Sequence, residues 1–201
     1  HLKESETLKE FEDSMSQIDL QISRCSKITQ SILQFGRQKE PTEEDIALEQ
    51  FIPGIARMVE SKAAVHGIAF SIEAADSAAV VHGDPAQLQQ VLINLLNNAI
   101  DAIVDRHGTA GGELRVAARR LGDGTVQIDV ADNGSGIRPE NLKKVFSPFF
   151  TTKPVGRGTG LGLSVCYGIV NTMGGKMEVS SAPGEGTTFT IQLPLVDKVT
   201  G

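Results

Sequence analysis

From Leu8 onward apolar residues recur at Leu8, Phe11, Met15, Ile18, Ile22, Cys25, Ile28, Ile32 and Phe35, a three-and-four spacing held for several turns. The intervening positions are charged or polar, and neither Pro nor Gly interrupts before Gly36. One long amphipathic helix is predicted, ending between Gly36 and Pro41, with a coiled-coil-like seam that pairs with another helix. The charged stretch Gln38 to Glu44 around Pro41 reads as a linker, which divides the chain into an amino-terminal region 1–40 and a globular domain 41–197.

Beyond the linker the period changes repeatedly. Ile46 to Leu48 reads as a short strand, Gln50 to His66 as a helix, and Ile68 to Ile72 and Val80 to His82 as strands. A strongly apolar helix follows from Pro85 to about Asp105; Asp84 can accept from the free first-turn amides, and Pro85 stands where a missing N–H costs nothing. Glu113 to Arg120 and Val126 to Ala131 read as a hairpin turned at Gly122-Asp123-Gly124. A glycine- and proline-rich stretch from Asp132 to Gly162 precedes a helix over about Leu163 to Met173. Strands at Lys176 to Ser180 and Thr187 to Leu193 close the chain. The expected fold is an α/β (α+β) two-layer sandwich, with helices on one face of a mixed sheet.

Composition narrows the function. Of the 201 residues 40% are hydrophobic and 22% charged, and no apolar run approaches the roughly 18–20 residues of a membrane span. A net charge of −6 argues against nucleic acid, which is held by clustered Lys and Arg. The chain is expected to be a fragment from the cytoplasmic part of a larger protein, with anchoring of that parent in the inner membrane compatible with everything here. Cys25 and Cys166 are far apart in apolar-periodic segments and are expected to be buried thiols.

Three constellations carry chemistry. Asn94 and Asn98 are four apart, on one face of the second helix, and an Asn carbonyl suits Mg²⁺, which keeps waters and takes few protein oxygens. Asp132-Asn133-Gly134-Ser135-Gly136 follows a β-branched strand; its glycines permit close approach, and a carboxylate there can accept from an exocyclic amine such as that of adenine. Gly156-Arg157-Gly158-Thr159-Gly160-Leu161-Gly162 leads into a helix, whose free amides favour phosphate oxygens. Each motif also has a bland reading as a solvated amide pair, a turn or a flexible connection.

Taken in order, the asparagine helix, Asp132-x-Gly134-x-Gly136, Phe146-Ser147-Pro148-Phe149-Phe150-Thr151-Thr152-Lys153, Gly158-x-Gly160-x-Gly162 and Gly184-x-Gly186-Thr187 closely resemble the N, G1, F, G2 and G3 boxes of sensor histidine kinases. The resemblance covers about Glu44 to Leu195. More loosely, Ile22 to Arg37 resembles the second helix of that family's dimerisation and phosphotransfer hairpin.

The resemblance implies that Asn98, with Asn94, holds Mg²⁺ on the ATP phosphates and that Asp132 bonds the adenine amine with support from Thr187. It also implies that Gly134, Gly136, Gly158, Thr159, Gly160, Leu161 and Gly162 form the nucleotide loops. Phe146 to Arg157 would be a lid over ATP, with Lys153 and Arg157 as phosphate partners. Gyrase-type relatives carry a general-base glutamate where this chain has Asn94, so attack by water is disfavoured and transfer to a histidine is expected.

The implied activity is phosphorylation of a histidine in a homodimeric parent, with a response regulator downstream. The family's acceptor motif is absent, His1 is expected to be incidental, and His66, His82 and His107 carry no acceptor signature. The fragment is therefore expected to bind ATP without phosphorylating itself. The rival readings are a non-catalytic nucleotide-binding scaffold, an anti-sigma-type serine kinase and a gyrase-type ATPase.

Overall fold

The computed structural model describes residues 42–73, 79–154 and 158–196, together with residues 11, 14, 15, 17, 18, 21 and 22. Phe11, Met15, Ile18 and Ile22 of the expected seam are helical and exposed. The rest of that helix, with Cys25 and the linker up to Pro41, lies outside the described residues.

Strand β1 (Glu44–Ala47) pairs antiparallel with β3 (Val80–Gly83) in a two-stranded sheet. The main sheet has the order β2-β4-β5-β7-β6, formed by Ala69–Glu73, Glu113–Arg120, Thr125–Asp132, Gly186–Pro194 and Lys176–Ala182 respectively. Only the β2–β4 pairing is parallel, because β2 reaches β4 through a helical crossover whereas the other neighbours are joined antiparallel. The helices are α1 (Leu48–Val65), α2 (Pro85–His107), the single turn α3 (Pro139–Leu142) and α4 (Gly162–Thr172). α1, α2 and α4 cover one face of the main sheet.

Period-two alternation builds that face. Leu114, Val116, Val126, Ile128, Val130, Phe189, Ile191 and Leu193 point inward and are buried. Against them α2 sets Leu88, Leu92, Leu95, Leu96, Ile100 and Ile103, each at most 2% exposed. The other face is polar: Asp129 accepts from Gln127 and from Thr190 across the β5–β7 pair, and Gln192 donates to Gln127. The result is the expected two-layer arrangement with helices on one side of a mixed sheet. Among the described residues no helix is long and apolar enough to cross a membrane.

The start of α2 is as the sequence predicts. Asp84 Oδ1 accepts from the N–H groups of Ala86 and Gln87, and Pro85 opens the helix. Its end is two residues later than expected, at His107, where Gly108 takes φ +63°.

Three details correct the sequence reading. β1 runs from Glu44 to Ala47 rather than Ile46 to Leu48, since its pairing ends at Ala47↔Val80; Leu48, fully buried, is the first residue of α1 and donates its N–H to Ala79. Pro53 consequently sits in the second turn of α1, where its ring removes the hydrogen bond to the Glu49 carbonyl. The turn α3, opened by Pro139, is too short to leave any periodic signal.

Candidate nucleotide site

The apolar stripe of α2 turns one row of its side chains away from the sheet, toward the loops after β5 and before α4. These enclose a cavity of about 380 Å³, within the roughly 300–1,000 Å³ of small-molecule sites. Its lining includes Asn94, Asn98, Asp132, Gly136, Lys153, Gly158, Thr159, Gly160, Gly162 and Thr187, so ten positions singled out in the sequence meet in one place.

Asp132 ends β5 and Thr187 begins β7, and the two are register partners in the central antiparallel pair. Thr187 is 5% exposed and its hydroxyl lies 3.0 Å from that of Ser181. Gly134 N–H donates to Asp132 Oδ1 at 2.8 Å. Burial pushes the Asp132 carboxyl up to about 6, against the N–H donations of Gly134 and Thr187, which favour its ionised form. The turn after Asp132 is pinned from the end of α2: Arg106 donates to the carbonyl of Asn133 at 2.7 Å, and His107 Nε2 lies 3.0 Å from the same oxygen. Asn133 in turn accepts the Glu113 N–H through its amide oxygen.

Asn94 and Asn98 both line the same cavity, as their four-residue spacing predicts. The Asn94 NH₂ approaches Cys166 Sγ at 3.6 Å, which leaves its carbonyl for the cavity. Cys166 is fully buried, as expected, and burial pushes its thiol up to about 12. Asn97, between them in sequence, points elsewhere: it donates to the Ile93 carbonyl and accepts from Lys62. Asn98 Oδ1 accepts the Lys153 ammonium at 3.2 Å, so this oxygen already faces a positive charge on the cavity side. An amide oxygen that accepts a cation beside an open cavity fits a hydrated Mg²⁺ shared with phosphates. No side chain caps the first turn of α4 at Leu161, which leaves the amides of that turn available to an anion.

Two expected site residues fall elsewhere, and a third is not among the described residues. Gly134 does not line the cavity; it lets the turn pack on α2, where a Cβ would stand 2.7 Å from both the carbonyl oxygen and the Cβ of Ala102. Leu161 lines a neighbouring groove with Ile93 and Val165, because as the residue preceding α4 it points away from the loop's concave side. Arg157 lies outside the described residues.

The structure also adds residues that the sequence did not single out. Ile137, Val145, Leu163 and Phe189 give the cavity an apolar wall suited to a base, and Asp101 enters beside Asn98, 2.6 Å from Lys153 Nζ. The apolar residues carry no chemical signature that separates wall from core. Asp101, three residues after Asn98, was recoverable from helical spacing.

The profile of the histidine kinase-, DNA gyrase B- and HSP90-like ATPases matches residues 83–197, more than half of the chain. The chain belongs to this ATPase family. It is 37% identical over 172 residues to the sensor histidine kinase ZraS of Klebsiella oxytoca, a match covering 86% of this chain and 36% of that protein. It superposes on the catalytic domain of the histidine kinase ThkA with a TM-score of 0.66 and 32% identity, over 76% of this chain and 97% of that one. Against ThkA solved in complex with the response regulator TrrA the TM-score is 0.70 with 29% identity, over 88% of this chain and 48% of that one. The chain thus spans about a third of the length of ZraS.

The raised pKa of Asp132 gives a pH test. Ionisation makes a carboxyl the stronger acceptor for an exocyclic amine such as that of adenine, and burial pushes Asp132 up to about 6. ATP-analogue affinity is expected to be flat above about pH 7 and to fall as pH drops through about 6. Calorimetric titration across pH 5–8 with a buffer-independent readout checks this; a flat profile would show that the carboxylate takes no part.

Proposed function

We propose that this chain is the ATP-binding catalytic portion of a sensor histidine kinase, delivering the γ-phosphoryl group of ATP to a histidine on a dimerisation domain, for relay to a response regulator. The observation that carries the reading is the convergence of Asp132, Thr187, Asn94 and Asn98 on the lining of a single cavity. Asp132 and Thr187, on the sheet, suit the base, and Asn94 and Asn98, on α2, suit the phosphates. Mg²⁺, when bound, supplies charge neutralisation on the phosphates, and Asn98 with Asn94 would hold it. The chain's own contribution is positioning: Asp132 and Thr187 fix the adenine edge, the apolar wall excludes water, and the α4 amides face the phosphates.

Asn94 in place of a general base supports transfer to a protein acceptor over hydrolysis. His66, His82 and His107 all lie outside the cavity lining, consistent with an acceptor on another segment. The solved complex of ThkA with TrrA supports a receiver domain as downstream partner. The exposed seam positions Phe11, Met15, Ile18 and Ile22 support region 1–40 as the second helix of a dimerising hairpin, with 41–197 as the cytoplasmic catalytic domain.

Asn98→Ala is expected to abolish the Mg²⁺-dependent part of ATP-analogue binding while leaving binding in excess chelator within about threefold of wild type, since one or two protein oxygens are all this ion takes. Titration with and without Mg²⁺ reads both. Incubation of the 201-residue chain with labelled ATP should leave every histidine unphosphorylated; a labelled histidine would place the acceptor within the chain and overturn that part of the reading.

A further inference from the structure

Among the described residues of the segment Phe146 to Pro154, Lys153 is the cation, and two of its partners are on α2. Its ammonium lies 2.6 Å from Asp101 Oδ2 and 3.2 Å from Asn98 Oδ1. Asp101 is three residues beyond Asn98 and seven beyond Asn94, on the same helix face and in the same cavity lining. The second carboxylate oxygen, Oδ1, stands 3.6 Å from Lys62 on α1, which also donates to Asn97. Asp101 therefore keeps one cation if it releases the other.

We propose that Asp101 is a positioning residue for the lid: it holds Lys153 over the Asn98 amide oxygen and so competes with nucleotide phosphates for the same ammonium. Two chemical constraints lead there. An ammonium has three N–H donors, and here two are committed to Asn98 and Asp101, which leaves one for a phosphate unless the Asp101 pair opens. The Asn98 oxygen that accepts Lys153 is also the one available to a phosphate-bound cation, whose charge would repel the ammonium, so the Lys153 contact and metal loading compete at one atom. Loading of nucleotide then exchanges the Asp101–Lys153 pair for a phosphate–Lys153 pair, with Lys62 left to compensate Asp101. The inference rests on the ATP-site reading above.

The pair is half exposed, with side-chain exposures of 28% and 42%, so its effect is modest. Asp101→Asn is expected to tighten binding of Mg²⁺-free ATP by about two- to fivefold and to tighten ADP less, because Lys153 is then free for the terminal phosphate. The same substitution made in a Lys153→Met chain should change nothing, and Asp101→Glu should restore wild-type affinity. Titration calorimetry on the four chains of the Asp101/Lys153 cycle and on Asp101→Glu, each with its melting curve to confirm folding, reads all three effects. Equal tightening in both backgrounds would reduce Asp101 to a bulk negative charge and overturn the proposal, as would weaker binding in Asp101→Asn. If the wild-type chain fails to bind ATP at all, the site reading falls with it, an outcome distinct from an additive cycle.

Discussion

Asp132→Asn is expected to lower ATP-analogue affinity about 10- to 100-fold, the worth of roughly 1.5–3 kcal/mol for a hydrogen bond to an ionised acceptor. The same substitution should make the free chain more stable at neutral pH. The folded-state pKa of Asp132 is raised, so the folded chain holds this proton more tightly than the unfolded chain. The group's contribution is fully present below about pH 4 and is lost as pH rises through about 6. At pH 7.5 the ionised, half-desolvated carboxylate opposes folding by an amount on the order of 1–3 kcal/mol, which a neutral isostere removes. Urea unfolding of both chains at pH 4 and pH 7.5 should show the variant's advantage only at the higher pH. Equal stability at both, with unchanged affinity, would mean that this carboxyl is an ordinary strand-end residue.

The second large effect is expected at Gly186. This residue has φ +109°, and an added Cβ would overlap the carbonyl oxygen of Asp132 on the neighbouring strand. The neighbour is backbone in the central β5–β7 pair and cannot move aside without breaking the register that joins Asp132 to Thr187. Gly186→Ala is therefore expected to cost about 3–5 kcal/mol of stability and, in whatever fraction remains folded, most of the nucleotide affinity. Gly184, two residues earlier, also has a positive φ of +75° but has no atom within 4 Å of its Cβ position. Gly184→Ala should cost only about 1 kcal/mol and leave binding intact. Chemical denaturation with analogue titration separates the two; similar losses in both variants would show that dihedral strain, not the close approach, sets the cost.

Those two residues also show where the sequence speaks and where it falls silent. The start of α2 is legible because capping is local: Asp84 and Pro85 do their work within one turn. The inward pair Asn94 and Asn98 is legible because a helix maps four-residue spacing onto one face, and Asn97 is excluded by the same geometry. Strand limits were less legible, since β1 stops where β3 stops, a fact about pairing and not about residues 44–48. The parallel placement of β2 beside β4 likewise depends on a crossover that no local pattern records.

Within the site the ligand-facing polar residues were readable as motifs, whereas the apolar wall was not, because Ile137 and Phe189 resemble any other core residue until the cavity is seen. Lys153 was expected to face phosphate. Its contact with Asp101 joins positions 52 residues apart and depends on how the segment around Lys153 folds back onto α2.

The helix-free face of the sheet has a further consequence. Its hydrogen-bonded polar rows leave no broad apolar surface, and the outer edge strand β6 carries an intrastrand ion pair between Lys176 and Glu178 at 2.6 Å. Charged side chains along an edge discourage another strand from pairing with it. Copies of this domain can therefore collide at high concentration without pairing along β6, where an apolar edge strand would seed aggregation.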